Sequence, residues 1–327
     1  MSNIIHSEFP RILKNKAFRI SLIFFVLCAA YFVFVNELSN YLRAGLIYSP
    51  AISYGYTLSL LPMPFASAVV ISLFIGREFG DGTIENKISS GHSRAEVYFG
   101  YLIVCLFSGV MMELTYLISY AVFELISMAV VKNTSEEIIY FQNSNELISY
   151  ARSHPITDIN ESSRTFVVFE VIWSDIIKGI LIGLCITAVF SSLFLMIAMI
   201  LRSKSRTVII SLVAAIALTA WGSVVDAQLT PPLTFDYDTS ETADQAITYT
   251  MPERGSNLSG PKKTFLMALD NILPYNQTSA LLPIYSDRIP SNANFFPLYD
   301  LIMTSLNITV GYLIFKKKDL GVGGKHE

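Results

Sequence analysis

Charged residues are scarce in this chain. Only 15% of its 327 residues are Asp, Glu, Lys or Arg, whereas a soluble globular protein has about 25%. Hydrophobic residues make up 52%, and the mean hydropathy is +0.49. This balance excludes a disordered chain, a coiled coil and a basic protein that binds nucleic acid. It predicts a membrane protein, with the lipid bilayer as its surroundings.

Cysteine and histidine are also rare, with three and four copies. The cysteines are Cys28, Cys105 and Cys185, and all three lie in apolar stretches, which excludes a disulfide framework in the loops. No His-Glu-x-x-His or other metal-ligand spacing occurs, so nothing favours metal or nucleophilic catalysis. The glycine-rich tail 321–325 lacks the Ser or Thr of a phosphate-binding loop. We therefore expect no cofactor and no enzymatic activity in this chain.

Six apolar runs are long enough to cross a bilayer as helices, for which about 20 residues are needed. The runs are 20–38, 56–76, 97–131, 179–201, 207–225 and 299–315. They predict an all-α membrane protein with six transmembrane helices. The basic start followed by an apolar run has no convincing cleavage site, which favours an uncleaved first helix over a signal peptide.

The distribution of Lys and Arg predicts the orientation. Segments 1–19, 77–96, 202–206 and 316–327 hold 14 of the 23 basic residues, although they are the shorter set. Segments 39–55, 132–166 and 227–298 hold only 8. Because basic loops stay in the cytoplasm, we expect a multi-pass protein of the bacterial plasma membrane with both termini cytoplasmic.

The spans divide the chain into six parts. They are a cytoplasmic interfacial helix at 1–19, spans one to three at 20–131, an extracellular segment at 132–166, spans four and five at 167–226, a second extracellular segment at 227–298, and span six with a basic tail at 299–327. Within 264–285, amphipathic but interrupted sequence predicts a pair of short interfacial or re-entrant helices. Pro62 and Pro64 predict a kink or break in the outer half of span two.

The N-terminal segment has the pattern of an amphipathic helix. Apolar side chains recur at helical spacing at Ile5, Phe9, Ile12 and Leu13. Glu8, Arg11 and Lys14 are expected on other faces. This pattern suits a helix lying in the cytoplasmic interface, and a frayed leader into the first span is the alternative.

The loop 77–96 between spans two and three carries the clearest local signals. Gly80 and Gly82 are expected to end span two, and Asp81 or Thr83 to cap a short helix over 83–90. Gly91 is expected to end that helix.

The short helix places Ile84 and Ile88 on one face. Ser93 and Glu96 then form a capping box for span three. Such an apolar stripe either receives a protein partner or packs on neighbouring parts of this chain, and the residues alone do not decide between the two.

The same loop resembles the permease subunits of type-2 ATP-binding-cassette exporters, in which Glu-x-x-x-Gly-Thr precedes a short helix and Gly-x-Ser-Arg follows it. The matching residues are Glu78, Gly82, Thr83, Gly91, Ser93 and Arg94. The predicted layout also resembles that of the family: it has six spans, cytoplasmic termini, an interfacial first helix and the Lys-Lys-Lys-Asp stretch at 316–319. The long outer segment 227–298 departs from the family's compact outer hairpin.

The resemblance implies a division of labour between subunits. The short helix would be a coupling helix that docks on a separate cytoplasmic ATPase, which binds ATP and Mg. Ile84 and Ile88 would insert into the ATPase, and Glu78 would hold the loop to the N-terminal helix or to the ATPase. Gly82, Thr83 and Arg94 belong to the same coupling motif. The permease would pair with a second copy or a sister permease.

Polar residues inside the spans are further candidates. Glu113 lies in the middle of span three, where a carboxylate is costly. It is either a substrate or proton contact, or an interior hydrogen bond. Glu124 is expected near the outer interface and in reach of water. Asp175 and Lys178 are expected to form an interfacial anchor with Trp173, and Asn307 to serve packing.

Three functions fit these features. The first is a permease that exports a peptide, drug or lipid-like substrate by alternating access. Its resemblance favours the subset of the family that occurs with bacteriocin and antibiotic-peptide systems. The second is a non-transporting sensor or immunity protein that binds a ligand through its extracellular segments. The third is a membrane-embedded enzyme, for which Glu113 is the one candidate group. The sequence leaves the substrate and the dimer partner open.

Overall fold

A computed structural model provides the fold. It describes residues 2–42, 46–49, 56–134, 137–141, 165–169, 173–230, 234–236, 248–250, 255–281 and 291–317. Helices account for nearly all of the described residues. The α-helices are α1 Ser2–Lys14, α2 Lys16–Leu42, α3 Met63–Gly80, α4 Thr83–Ser89, α5 Arg94–Thr134, α6 Trp173–Leu201, α7 Lys204–Leu229, α8 Gly260–Ile272, α9 Pro274–Leu281 and α10 Phe296–Lys317. Two 3-10 helices, Tyr56–Leu60 and Ser291–Phe295, precede α3 and α10.

Among the described residues, six helices are long enough and apolar enough to cross a membrane, which agrees with the predicted number of spans. Their apolar portions are Lys16–Val35, Met63–Gly80, Arg94–Ser127, Ile177–Leu201, Lys204–Leu229 and Asn292–Lys317. These helices indicate a multi-pass membrane protein.

Short strands, which the sequence pattern did not predict, lie between the spans. β1 Leu46–Ser49 and β2 Glu137–Phe141 both pair with β3 Thr165–Phe169 in parallel. A separate antiparallel pair joins β4 Thr234–Asp236 to β5 Thr248–Thr250. The first sheet brings the segment after span one together with the segment between spans three and four.

The core of the bundle lies between α2, α3, α5, α6 and α10, with α5 and α6 in contact with most of the others. Large side chains fill it, including the fully buried Phe25, Tyr116, Phe194 and Phe315. Polar contacts join further helix pairs. The Ser72 and Ser211 hydroxyls are 2.9 Å apart between α3 and α7. Helices in lipid associate through such packing and hydrogen bonds, because the hydrophobic effect does not drive apolar helices together when lipid already surrounds them.

Asn307 of α10 has the packing role expected from the sequence. Its amide Nδ2 donates to the Ser192 hydroxyl at 3.2 Å and to the Val189 carbonyl at 3.4 Å, both on α6. The side chain is buried at the contact between the two helices. Asn307 therefore joins α6 to α10.

The predicted break in span two is present. α3 begins at Met63, directly after Pro62, and Pro64 lies in its first turn. Proline is tolerated there because the first amides of a helix have no intrahelical acceptor. The preceding 3-10 helix is thus a separate short segment packed against α5 and α6.

The predicted pair of short helices is also present, as α8 and α9. The two helices pack on α7, and α9 also reaches α6. A side-chain carbon at Gly222 of α7 would lie 2.7 Å from Tyr275 and 2.7 Å from the Asn276 amide oxygen. α9 therefore lies directly on the backbone of α7.

The end of the bundle that carries α1, α4, the α6–α7 turn and the last turn of α10 is called the basic end below. Twelve Lys and Arg side chains lie there among the described residues. They are Arg11, Lys14, Lys16, Arg19, Arg77, Lys87, Arg94, Arg202, Lys204, Arg206, Lys316 and Lys317. The basic tail beyond 317 and the side chains of Asp175 and Trp173 lie outside the described residues, so the predicted anchor is not described.

Candidate functional site

Two glycines define the short helix α4 at the basic end. Gly82 precedes it with φ +65°, a left-handed conformation that glycine adopts without strain. No side chain caps this end, so the predicted cap from Asp81 or Thr83 is wrong. At the other end Gly91 has φ +96°. Its amide bonds the Ile88 carbonyl at 3.1 Å and the next amide bonds the Lys87 carbonyl at 3.2 Å, which is a Schellman ending.

The predicted capping box at the start of α5 is confirmed. The Ser93 amide donates to Glu96 Oε2 at 3.0 Å, and the Glu96 amide donates to the Ser93 hydroxyl at 3.2 Å. Each side chain thereby satisfies one amide that the helix leaves open. The turn from α4 into α5 is fixed by these bonds and by Gly91.

The apolar stripe of α4 faces the bundle. Ile84 is fully buried, and Ile88 is half-buried against the same core. The expected presentation of Ile84 to a partner is therefore wrong for this conformation, and of the two interpretations of the stripe the packing one is observed. The side of α4 that stays exposed carries Asn86, Ser89 and Ser90. Thr83 is half-buried beside Ile84.

A cluster of two acidic and two basic side chains fastens α4 to its neighbours. Glu8 Oε1 of α1 accepts hydrogen bonds from Lys87 Nζ of α4 at 2.5 Å and from Arg11 Nη1 at 3.3 Å. Glu78 Oε2 of α3 accepts from Arg11 Nη1 at 2.8 Å and lies 3.9 Å from Lys87 Nζ. The four residues, with Tyr101, are called the ion cluster below.

Tyr101 brings α5 into the ion cluster. Lys87 Nζ donates to the Tyr101 hydroxyl at 2.7 Å, and that hydroxyl donates to Glu78 Oε2 at 2.8 Å. The Lys87 ammonium also lies 4.6 Å from the centre of the Tyr101 ring, a cation–π distance. Four helices, α1, α3, α4 and α5, therefore meet at one set of hydrogen bonds.

The ion cluster is balanced in charge and largely shielded from water. Glu8 is fully buried and Lys87 is 15% exposed, whereas Arg11 is 48% exposed. Partial burial opposes the charge on Arg11, but the carboxylates of Glu78 and Glu8 outweigh it and raise the Arg11 pKa above its ordinary value. Buried pairs of this kind hold a geometry rather than add much stability, because desolvation offsets their attraction.

The sequence pattern located only part of this cluster. Of the two expected partners of Glu78, the N-terminal helix is the one observed, through Arg11. Glu8 was expected on a polar face and is instead buried, because Ile4, Glu8 and Ile12 form the inward face of α1. Lys87 and Tyr101 were not singled out. Lys87 pairs with Glu8, 79 residues away in the sequence, and no local pattern marks that contact.

Arg94 joins the start of α5 to the end of α10. Its Nη1 donates to the Lys316 carbonyl at 2.7 Å and to the Phe315 carbonyl at 3.3 Å. These carbonyls belong to the last turn of α10, where a cation also complements the helix dipole. Glu78, Lys87 and Arg94 thus contact helices α1, α3, α5 and α10 between them.

Buried carboxylates lie further along the bundle, away from the basic end. Glu113 is 2% exposed, and its Oε1 accepts a 2.8 Å hydrogen bond from the Ser59 hydroxyl. Glu124 is 1% exposed, so the expectation that it reaches water is wrong for this conformation. Asp300 in the first turns of α10 is 1% exposed and lies beside Gln277 of α9. It was missed, although a lone carboxylate within the run 299–315 was a visible signal.

Metal ligands are not gathered anywhere in the part of the chain that the structure describes: no three His, Cys, Asp or Glu side chains there lie close enough to hold an ion.

Comparison with known protein families and with curated proteins finds no match to this sequence. The function is therefore argued from the sequence pattern and from the geometry of the basic end.

Proposed function

We propose that this chain is the permease subunit of an ATP-binding-cassette transporter of the type-2 exporter kind. It would reside in a bacterial plasma membrane with both termini and the basic end in the cytoplasm. A separate ATPase would bind ATP and Mg, and a second copy or a sister permease would complete the translocation path. The substrate would be a peptide, a drug or a lipid-like molecule, exported by alternating access.

The observation that carries this proposal is how α4 is held. A helix of seven residues has too few hydrogen bonds to be stable alone. α4 is instead fixed by Ile84 in the core, by Lys87 in the ion cluster and by glycines at both ends. Its free side, with Asn86, Ser89 and Ser90, points away from these contacts. A short helix that is rigidly anchored on one side and open on the other suits the transfer of force from a partner.

The contacts of the ion cluster suggest where that force would go. Movement of α4 would pull Lys87, and through it Glu8 of α1 and the Tyr101–Glu78 pair of α5 and α3. Arg94 would carry the displacement of the α4–α5 turn to α10. ATP-driven closure of the partner would thereby reach helix α1 and three of the six spans, α3, α5 and α10, as a rigid-body movement.

The apolar outer faces of the bundle support a membrane location and leave room for a second permease. Side chains exposed on α2, α7 and α10 are large and apolar, among them Phe34, Trp221 and Leu301. Such faces are stable against lipid or against another set of helices. Twelve described basic residues at one end favour the cytoplasmic placement of that end.

Exchange of Ser89 for arginine tests the docking face. Ser89 is exposed on α4, so Ser89→Arg leaves the fold intact but places an unpaired charge in a docked interface. Pull-down of the tagged chain from its native membrane in mild detergent, with mass spectrometry, measures the recovery of a partner that carries ATP-binding motifs. We expect Ser89→Arg to lower that recovery by about tenfold.

Ser205→Arg is the matched control, because Ser205 is exposed at the same end of the bundle but lies on α7. It is expected to leave the recovery unchanged. Equal recovery with both variants would remove α4 as the docking site. Absence of any ATPase from the wild-type pull-down, under conditions in which known permeases keep theirs, would reject the permease proposal.

A further inference from the structure

The first two helices meet at a single residue. α1 ends at Lys14 and α2 begins at Lys16. Asn15 ends one helix and caps the next, because its amide donates to the Ile12 carbonyl at 3.0 Å and its side-chain oxygen accepts from the Ala17 amide at 2.8 Å. Side chains of the last turn of α1 and of the first turn of α2 are therefore neighbours.

Three basic side chains gather at this junction. Lys14, Lys16 and Arg19 are all exposed. Arg19 Nε donates to the Leu13 carbonyl at 2.9 Å, which places the guanidinium at the end of α1. None of the ion pairs among the described residues includes any of the three, and the sequence has no Asp or Glu within 9–36. The three side chains are called the junction cluster below, and their positive charges are unpaired within the described part of the chain.

An uncovered apolar stripe runs along α2 from the junction cluster. The inward face of α2 packs in the bundle through the buried Phe18, Phe25 and Ala29. On the other face, five large apolar side chains recur three or four residues apart and are each between 61% and 65% exposed: Ile20, Ile23, Leu27, Tyr31 and Phe34. Lys16 and Arg19 continue the same spacing toward the start of α2, so the charges and the stripe lie on one side of the helix.

The junction cluster lies at the boundary of the first span. The apolar portion of that span begins at Lys16, and basic side chains at the end of a span reach the headgroup level of the bilayer. Beyond that level, acyl chains surround the exposed stripe. One phospholipid molecule can therefore contact the junction cluster with its headgroup and the stripe with its chains.

We propose that the junction cluster and the stripe form a binding site for an anionic phospholipid of the leaflet at the basic end. Lys14 and Lys16 bind the negative headgroup, Arg19 donates to its phosphate, and an acyl chain lies along the stripe. The lipid thereby fixes the end of α1, the helix that provides Glu8 and Arg11 to the ion cluster. This inference needs only a membrane location for α2 and does not rest on the proposed ATPase partner.

Native mass spectrometry of the delipidated full chain in detergent micelles tests the site by counting bound lipids during a titration. The probes are dioleoyl-phosphatidylglycerol, which is anionic, and dioleoyl-phosphatidylcholine, which has the same chains and phosphate but a positive choline group. We expect the first phosphatidylglycerol to bind about twentyfold more tightly than the first phosphatidylcholine, since each of the two lysines contributes about fivefold. Equal affinities would overturn the proposal.

Two double variants separate the junction cluster from general attraction to positive charge. Lys14→Gln with Lys16→Gln changes two exposed side chains, so the fold is expected to remain intact and the preference to fall to about twofold or less. Lys316→Gln with Lys317→Gln is the matched control, because it removes the same charge from exposed side chains of α10 at the same end of the bundle.

The control lysines lie at the carboxyl end of a helix, whose partial negative charge disfavours a phosphate. The preference of about twentyfold is therefore expected to remain in the control variant. An unchanged preference in Lys14→Gln with Lys16→Gln, or an equal loss in both double variants, would contradict the assignment.

A water-soluble headgroup distinguishes a phospholipid from a free anion. Glycerol phosphate has the charged group but no acyl chains to cover the stripe. At equal concentration it is expected to leave phosphatidylglycerol bound, because the chains add apolar contact along α2. Displacement of the lipid by glycerol phosphate under these conditions would indicate a simple anion site and would overturn the lipid assignment.

Discussion

Lys87→Met is expected to lower the free energy of unfolding by about 3–5 kcal/mol, the cost of leaving a buried charge without its partner. Lys87 gives Glu8 its 2.5 Å hydrogen bond, and Glu8 has no exposure to water. The donors that would remain on Glu8 Oε1 are both more distant: the half-exposed Arg11 at 3.3 Å and the uncharged Ser7 hydroxyl at 3.4 Å. Chemical unfolding of the purified chain in detergent micelles, followed by tryptophan fluorescence, measures the loss.

A double variant distinguishes the lost pair from lost packing. Glu8→Gln combined with Lys87→Met removes both charges and is expected to recover most of the stability, because neutral replacement of a buried pair is often close to neutral. Lys14→Met, on the exposed side of α1, is expected to stay within about 0.5 kcal/mol of the wild type. A loss below 1 kcal/mol in Lys87→Met, or no recovery in the double variant, would contradict the role given to the ion cluster.

The features that the sequence predicted well are those set by length and by local hydrogen bonding. Apolar runs of sufficient length must become helices in a bilayer, because lipid offers no partner for backbone amides. Six spans follow from that condition alone. The capping box of Ser93 and Glu96, the ending at Gly91 and the break at Pro62 depend on neighbours within four residues. Local chemistry was enough for each of them.

The features that it missed depend on contacts between distant residues. Glu8 looks like a solvated residue on an amphipathic helix until Lys87, 79 residues away, is placed beside it. From the sequence, Ile84 could equally be an exposed contact for a partner, and only the structure shows that it is buried in the core of this chain. An amphipathic pattern shows which faces differ, but the inward face is chosen by packing between helices. The ion cluster is made of such contacts.

The intramembrane acids illustrate the same limit. The position of Glu113 within its run predicted a buried carboxylate, and the alternatives were a ligand contact or an interior hydrogen bond. The structure shows the Ser59 hydrogen bond to Oε1 and finds no partner for Oε2 among the described residues. The burial of Glu113 could therefore be predicted from its depth in the span, whereas its contact with Ser59 could not.

Gly76→Ala is expected to destabilise the chain by about 1–3 kcal/mol, the usual effect of overpacking, although alanine is the better helix former. A side-chain carbon at Gly76 would lie 2.7 Å from the Cα atom of Lys204. α3 and α7 therefore touch through their backbones at the basic end. The obstruction is main chain, and a change of rotamer cannot relieve it.

The backbone of Lys204 has little freedom to retreat. Only Arg202 and Ser203 join α6 to α7, and Arg202 already has φ +54°, a conformation that is strained for a residue with a side chain. The added methyl group must therefore push α3 away from α7, against the Ser72–Ser211 hydrogen bond one turn further along. Unfolding midpoints in detergent micelles, measured by the same fluorescence change, report the cost.

Gly80→Ala is the matched control, since it is the same exchange one turn later on the same helix. No atom lies within 4 Å of a side-chain carbon at Gly80. This variant is expected to be neutral or more stable by up to about 1 kcal/mol. If Gly76→Ala proves as stable as Gly80→Ala, α3 and α7 do not meet through their backbones at this point. If only Gly76→Ala loses stability, the close approach is real, and the first turn of α7 is fixed to the span that carries Glu78 of the ion cluster.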